Sequence, residues 1–292
     1  MRYLITGVKG QLGYDLTREL DERGETDYLA VDIEEMDITD KDRVMKVITE
    51  YKPDVIFHCA AYTAVDKAEQ DEKTCYKVNV EGTKNITDAS LAVGAKLVYL
   101  STDYVFDGTK EGYYTEEDQV NPQSVYGKTK QLGEEEVKRN PNHFIGRISW
   151  VFGIKGSNFI KTMLGVSENL EKLGKPNEVR VVNDQIGSPT YTVDLSKVLV
   201  NMVQTDKYGT YNITNEGFCT WAEFTEYFYA INNRATKVNA VTTPEYYGTK
   251  PHAPRPENSK MSKDKLEENG FDRLPTWQDA TDRYCKELVK KR

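Results

Sequence analysis

The sequence lacks any run of 18 apolar residues, so it offers no membrane-spanning helix. It also lacks a basic stripe: 47 acidic side chains outnumber 39 basic ones, for a formal charge of −8. Counterion release from a polyanion needs clustered Lys and Arg, so neither nucleic acid nor an anionic membrane is an expected partner. Cysteine is sparse, at 59, 75, 219 and 285, and no two are within three residues of each other. That excludes a Cys-x-x-Cys zinc or redox motif and leaves free, mostly buried thiols as the expectation. The three histidines, at 58, 143 and 252, have no metal-ligand spacing. His58 stands beside Cys59 in an apolar strand run and reads as packed, which argues against a His–Cys–Asp hydrolase. The opening Met1–Gly7 reads as a strand rather than a secretory leader, so the expected location is cytoplasmic. There is no internal repeat and no low-complexity tract.

What is present is enough for a sizeable core. A folded chain of 292 residues buries roughly 75% of the surface its unfolded form exposes. Its first half alternates short apolar runs with helical periodicity. Strands are expected at Tyr3–Thr6, Tyr28–Val31, from Val55, at Lys96–Ser101 and at Phe144–Ile148. Between them lie helical faces at Gln11–Glu22, Lys41–Tyr51, about Glu72–Val93 and Val125–Arg139. Such alternation implies right-handed crossovers and a parallel sheet covered on both faces. Beyond Trp150 the pattern loosens. Helices are expected at Asn158–Leu173 and Val193–Val203, and Val179–Val182 is expected to rejoin the sheet. The reading is an α/β doubly wound parallel sheet with a smaller, interleaved C-terminal lobe. Residues 1–150 and about 179–204 form the first unit, and 151–178 and 205–292 the second.

The first strand runs into Gly7-Val8-Lys9-Gly10-Gln11-Leu12-Gly13, which opens a helix. Alone, Gly-x-x-Gly-x-x-Gly marks only a tight turn. Between a strand and a helix, at the start of a strand–helix–strand unit, it fits a dinucleotide's pyrophosphate. Glycines admit the phosphates, and the helix N-terminus offers N–H groups and positive dipole. The second strand ends at Asp32, 19 residues past Gly13, near the offset at which a carboxylate meets an adenosine ribose diol. A carboxylate there repels a 2′-phosphate, and no arginine lies in 31–39 to receive one. NADH is therefore the preferred cofactor and NADPH a possible one. Asp37 and Ile38 are candidate adenine contacts.

Two Tyr-x-x-x-Lys spacings occur. Tyr246 and Lys250 lie between prolines 244 and 251, where no helix is expected. Tyr126 and Lys130 start a helix and project from one face, after a strand ending at Ser101-Thr102. Ligands of such sheets bind beyond the strands' carboxyl ends. A phenol titrates near 10; a nearby ammonium favours its ionised form. Lys130 would supply that charge, Thr102 would hold a substrate carbonyl, and Tyr126 would protonate the alkoxide as hydride arrives.

Together these residues resemble the short-chain dehydrogenase/reductase superfamily in its extended branch, with its Rossmann-type sheet. Within that branch the chain is similar to the dTDP-4-dehydrorhamnose reductase family. The supporting blocks are Cys59-Ala60-Ala61-Tyr62-Thr63-Ala64-Val65-Asp66-Lys67-Ala68-Glu69, Ser101 to Gly108, Ser149-Trp150-Val151-Phe152-Gly153, Gly156 to Phe159, Asp184 to Thr190, and Arg255 to Ser259. The resemblance implies reduction of the 4-keto group of dTDP-4-dehydro-L-rhamnose to dTDP-L-rhamnose. It makes Thr102, Tyr126 and Lys130 the catalytic trio, and Thr102, Asp103, Tyr126 and Trp150 the residues facing the sugar. Gly7, Gly10, Gln11, Leu12, Gly13, Asp32, Asp37, Ile38, Ala60, Ala61, Tyr62, Tyr126 and Lys130 would hold the dinucleotide. Trp150 has an equal claim to be core. Arg255 is a candidate for the diphosphate, with an ion pair as the competing role.

Other functions compete. Dehydratases of the branch resemble Thr-Asp-Glu where this chain has Thr102-Asp103-Tyr104, so elimination is disfavoured. A sugar-nucleotide epimerase retaining its NAD stays open, as does a non-catalytic dinucleotide-binding regulatory subunit. Some members dimerise around magnesium held by acidic side chains. Asp15 and Asp194 occupy comparable neighbourhoods, but they are aspartates where glutamates are expected. The metal, and the choice between monomer and homodimer, stay open.

Overall fold

The computed structural model describes residues 1–290. The first half comprises β1 (Tyr3–Thr6), α1 (Gln11–Glu22), β2 (Tyr28–Val31), α2 (Lys41–Tyr51), β3 (Val55–His58), α3 (Val65–Ala68), α4 (Glu72–Tyr76), α5 (Thr83–Val93), β4 (Lys96–Thr102), α6 (Val125–Val137) and β5 (His143–Ile148). There follow β6 (Val151–Phe152), α7 (Phe159–Lys172), β7 (Glu178–Val182), β8 (Ile186–Gly187), β9 (Thr190–Tyr191), α8 (Thr192–Met202), β10 (Gly209–Asn212), β11 (Cys219–Thr220), α9 (Trp221–Ile231), β12 (Lys237–Val241), α10 (Thr243–Tyr247), α11 (Asp264–Glu268) and α12 (Trp277–Lys290).

Six strands form the central sheet in the order β10-β5-β4-β3-β1-β2, and every neighbouring pair is parallel. Successive side chains of a strand point to opposite faces, and both faces are apolar here. Tyr3, Ile5, Val55, Phe57, Val98, Leu100 and Phe144 pack with Leu12, Leu16 and Leu20 of α1 and Leu195, Val198 and Leu199 of α8. Leu4, Ile56, Leu97, Tyr99 and Ile145 face the other way, onto Val44 and Ile48 of α2, Ile86 and Ala89 of α5 and Val137 of α6. The chain order reverses between β1 and β3, and a crevice opens outside the carboxyl ends of strands at such a switch. A second apolar cluster, with Phe152, Ile160, Leu164, Val181, Phe224, Phe228 and Tyr284, builds the smaller lobe.

Four features differ from the sequence reading. Val179–Val182 does not rejoin the sheet: β7 pairs with β12 in a separate two-stranded parallel sheet. Its burial alternates, with Glu178 and Arg180 exposed, which suits a half-covered ribbon rather than a strand covered on both faces. Its place is taken by β10, from the stretch assigned to the C-terminal lobe, which pairs with β5. Gly209-Thr210-Tyr211-Asn212 carries one large apolar residue, so its pattern is too weak to read. The helix expected over 72–93 is broken by a π-helical segment at Lys77–Gly82 before Gly94, at φ 72°, ends it. A short helix, α10, forms where none was expected, with Pro244 in its first turn and a reciprocal cap between Thr242 and Glu245.

Candidate active site

The crevice at the switch point is a cavity of about 820 Å³. Its wall includes Gly7, Gly10, Gln11, Leu12, Gly13, Asp32, Asp37, Ile38, Ala60, Ala61, Tyr62, Thr102, Asp103, Tyr126, Lys130 and Trp150. A second cavity of about 330 Å³ adjoins it and shares Asp103, Tyr104, Trp150 and Trp221. Arg255 lines only this second cavity.

The glycine turn is built for close approach. Gly7 has φ +70°, and a Cβ there would lie 2.8 Å from the Ala60 nitrogen. A Cβ on Gly13 would run into the Gly7 carbonyl. Gly10 is the N-cap of α1 and places no side chain over the first turn. The backbone N–H groups there are left for a ligand, so the cradle fits an anionic diphosphate. Gln11 lines the cleft, and its side chain also joins two segments. Its Oε1 accepts from the Gly153 N–H at 2.8 Å and from Asn158 Nδ2 at 3.0 Å, so the side chain ties α1 to the loop after β6.

Asp32 follows β2 and lies beside the glycine turn. Its carboxylate accepts from the backbone N–H of Lys9 (2.9 Å) and of Ile33 (2.9 Å). Lys9 Nζ pairs with Glu34 at 2.6 Å. Asp37 accepts from the Thr39 N–H and hydroxyl, and the Ile38 carbonyl accepts from Asn85 Nδ2. The Ala60–Tyr62 wall is fixed by Asn79, in the π-helical segment. The Tyr62 N–H donates to Asn79 Oδ1 at 2.8 Å, and Asn79 Nδ2 donates to the Tyr62 carbonyl and to Thr129 Oγ1. A π-turn re-aims one side chain within a helix. Here it aims an amide that serves both the cleft wall and α6.

The three predicted catalytic side chains line the same cleft. The Ser124 hydroxyl caps α6 by accepting from the Gly127 N–H at 3.1 Å. Gly127 then lets the helix press onto the Tyr104 carbonyl, where any Cβ would collide. Tyr126 lines the cleft with Thr102 and meets Tyr104 edge-on, with ring centroids 5.5 Å apart. Thr102 Oγ1 donates to Asp103 Oδ1 at 3.0 Å and accepts from the Tyr104 N–H. Lys130 is 3% exposed, and its ammonium sits 4.0 Å from the centre of the Tyr99 ring.

Burial dominates the electrostatics. It lowers Lys130 to about 7, opposed by the nearby Glu134 carboxylate. It raises the Tyr126 phenol, opposed by the neighbouring Thr102 hydroxyl. Burial, the largest influence, thus moves the phenol in the direction opposite to the lowering expected from Lys130. His58 is pushed down to about 3, by burial and then by Lys130. Its ring nitrogens lie within hydrogen-bond distance of Thr6 and Thr83, so it is a packed, neutral histidine. Cys59 is pushed up to about 12 by burial.

Trp150 lines both cavities and stands at φ +50°, an uncommon conformation for a bulky residue. Its ring stacks on Trp221 at 3.7 Å and 13°. Trp221, 71 positions away, was missed by the sequence reading, which had no local signal for it. Arg255 makes the competing ion pair, both its terminal nitrogens donating to Asp66 at 2.9 and 2.8 Å. Asp15 accepts from Thr192 and Arg18, and Asp194 from Arg283 and Asn215. Among the described residues no group of three or more His, Cys, Asp or Glu gathers as a metal site. None of the described helices is long and apolar enough to cross a membrane.

Comparison with known proteins agrees with this geometry. A family described as the RmlD substrate binding domain matches residues 1–290. A dTDP-4-dehydrorhamnose reductase of Aggregatibacter actinomycetemcomitans is 40% identical, covering 96% of each chain. Two solved structures carry the same enzyme name. One, from Clostridium acetobutylicum, superposes with a TM-score of 0.93 at 39% identity, over 99% of this chain and 100% of the other. The other, from Bacillus anthracis in complex with NADP, gives 0.92 at 40% identity, over 98% and 99%. The chain belongs to the RmlD family.

Proposed function

We propose that this chain reduces the 4-keto group of dTDP-4-dehydro-L-rhamnose to give dTDP-L-rhamnose, a step of nucleotide-sugar and polysaccharide synthesis. The observation that carries the reading is the meeting of Thr102, Tyr126 and Lys130 in the cleft that the glycine turn and Asp32 also line. The names of the relatives support the substrate. When bound, a reduced nicotinamide dinucleotide supplies the hydride.

The chain's own residues supply the rest. Gly7, Gly10 and Gly13 with the first turn of α1 cradle the diphosphate, and Asp32 receives the adenosine ribose. Ala60 to Tyr62 form the wall against the dinucleotide. Thr102 orients the substrate carbonyl, and Tyr126 protonates the oxygen at C4. A phenol raised by burial keeps its proton until negative charge develops on that oxygen, which suits a reductase. Lys130 holds the nicotinamide ribose, and Trp150 packs against the sugar. A regulatory subunit has no need of this trio in its cleft.

NADH is the preferred donor in this reading, because Asp32 meets a ribose diol better than a 2′-phosphate and the nearby Lys9 is tied to Glu34. NADPH is the competing donor, as the NADP in the Bacillus anthracis relative indicates. The enzyme acts in the cytoplasm, as a monomer or homodimer. Oxidation of NADH against a panel of 4-keto sugar nucleotides tests the assignment: turnover with the dTDP-linked ketone supports it. Dinucleotide binding without turnover on any member of the panel contradicts it.

A further inference from the structure

Arg147 stands near the end of β5, and Glu134 lies one turn beyond Lys130 in α6. Both are buried, at 3% and 0% exposed. The guanidinium grips the carboxylate at two points, Nε donating to Oε1 at 3.0 Å and Nη2 to Oε2 at 2.8 Å. The Ser101 hydroxyl donates to Oε1 at 2.5 Å. Arg147 is steadied from behind as well. Its Nη1 donates to the Glu116 carbonyl at 3.4 Å, and the guanidinium carbon lies 5.0 Å from the centre of the Phe106 ring.

Residues four apart in a helix share a face. The side chain of the later one leans back over the turn of the earlier. Glu134 is therefore placed to pair with Lys130, and a buried carboxylate gains much from any cation it can reach. Yet among the described residues no ion pair joins the two: Glu134 pairs with Arg147. The Lys130 ammonium instead sits 4.0 Å from the centre of the Tyr99 ring, in the wall of the cleft.

Resting on the reductase reading above, we propose that Arg147 is a positioning residue for Lys130. By taking both oxygens of Glu134 it keeps that carboxylate off the lysine, and it leaves the ammonium free for the hydroxyls of the nicotinamide ribose. A bidentate fork suits this task, since two parallel bonds fix both oxygens at once, where a lysine would offer a single point charge.

The other groups facing Lys130 do not compete for it. They are Cys59 and His58 at the end of β3, Cys75 of α4 and the Tyr99 ring of β4. Burial pushes the Cys59 thiol up to about 12 and raises Cys75, so both stay protonated, and His58 is neutral. Glu134 is thus the carboxylate whose charge acts on the lysine.

The test removes the guard and then what it guards against. In Arg147→Met, Glu134 is released to pair with Lys130. The dissociation constant for NADH, read by fluorescence titration, is expected to rise about 10- to 100-fold, the worth of one hydrogen bond to a charged group. The titration midpoint of Lys130 is followed through its ε-carbon NMR signal, assigned by its loss in Lys130→Met. It is expected to move upward from about 7, because a carboxylate at hand favours the ammonium. Replacing both Arg147 and Glu134 with Met leaves nothing to capture the lysine, so NADH affinity and the midpoint are expected to return close to wild type. Arg147→Lys keeps the cation without the two-point grip and is expected to weaken NADH in the same direction; it carries the test should Arg147→Met not fold. The proposal is overturned if the single variants bind NADH as wild type does with the Lys130 midpoint unmoved. It is also overturned if the double variant binds NADH as weakly as the single one, which a purely structural pair would give. A wild type that binds NADH but oxidises none of it against dTDP-4-dehydro-L-rhamnose overturns the reductase reading instead, while the binding and NMR measurements still decide the role of Arg147.

Discussion

Trp150 and Trp221 lie face to face, 3.7 Å between ring centroids and 13° between planes, at the junction of the two cavities. Trp221 opens α9 in the smaller lobe, while Trp150 follows the last of the alternating strands. Removing Trp221 leaves Trp150 without its stacking partner, a loss of about 0.5–1.5 kcal/mol beyond buried area. The Trp221→Ala enzyme is expected to show a KM for the sugar nucleotide raised roughly 2- to 10-fold, with the KM for NADH unchanged. Steady-state kinetics with each substrate varied checks this, and an unchanged sugar-nucleotide KM refutes it.

Asp32 carries the choice of cofactor. Asp32→Ala removes the carboxylate that receives the ribose diol and repels a 2′-phosphate. Affinity for NADH is expected to fall more than affinity for NADPH. Fluorescence titration with both dinucleotides gives the ratio directly, and the same ratio in wild type and variant would discredit the contact.

The buried ion pair behind the site makes a prediction about stability. Arg147 and Glu134 are 3% and 0% exposed, with Arg147 Nη2 donating to Glu134 at 2.8 Å and Nε at 3.0 Å. The Ser101 hydroxyl donates to the same carboxylate. Arg147→Met leaves that carboxylate buried without its cation, and is expected to destabilise the fold by about 3–5 kcal/mol. Replacing both residues with Met is expected to recover part of the loss. Urea unfolding of the three proteins decides it. A single variant as stable as wild type contradicts the account.

Lys130 sets a pH dependence with a definite sign. Its folded pKa, about 7, lies below its unfolded value, so between about 7 and 10.4 the unfolded chain binds more protons. The Lys130 contribution to stability therefore rises with pH across that window and is lost as pH falls through it. The charge needed at the ribose runs the other way. The kcat/KM for NADH is expected to fall as pH rises through about 7, and that limb should disappear in Lys130→Met against its lower basal rate. A flat profile across neutral pH in the wild type would contradict the shift.

The first half of the fold was readable because its strands are short, mostly apolar runs between helical faces of period 3.6. The glycine turn, Asp32, Tyr126 and Lys130 were readable because their spacing is local to one strand–helix unit. The sixth strand was not, since Thr210 and Asn212 hide Tyr211 among polar neighbours, and only the edge of β5 makes a strand of them. Asn79 was hidden because a π-turn leaves no mark in an apolar pattern that stays helical on both sides. Trp221 and Ser259 reach the site from the far lobe, and such contacts arise from chain closure rather than sequence spacing. Arg255 shows the converse: a cation in the right segment that the structure commits to Asp66.

The most direct measurement is the loss of reduced-nicotinamide absorbance when dTDP-4-dehydro-L-rhamnose is added to wild type and to Tyr126→Phe. The account predicts turnover by the wild type and a rate lower by on the order of 10²–10⁴-fold in the variant, with NADH affinity little changed. Equal rates in the two proteins would remove Tyr126 from the chemistry and contradict the account.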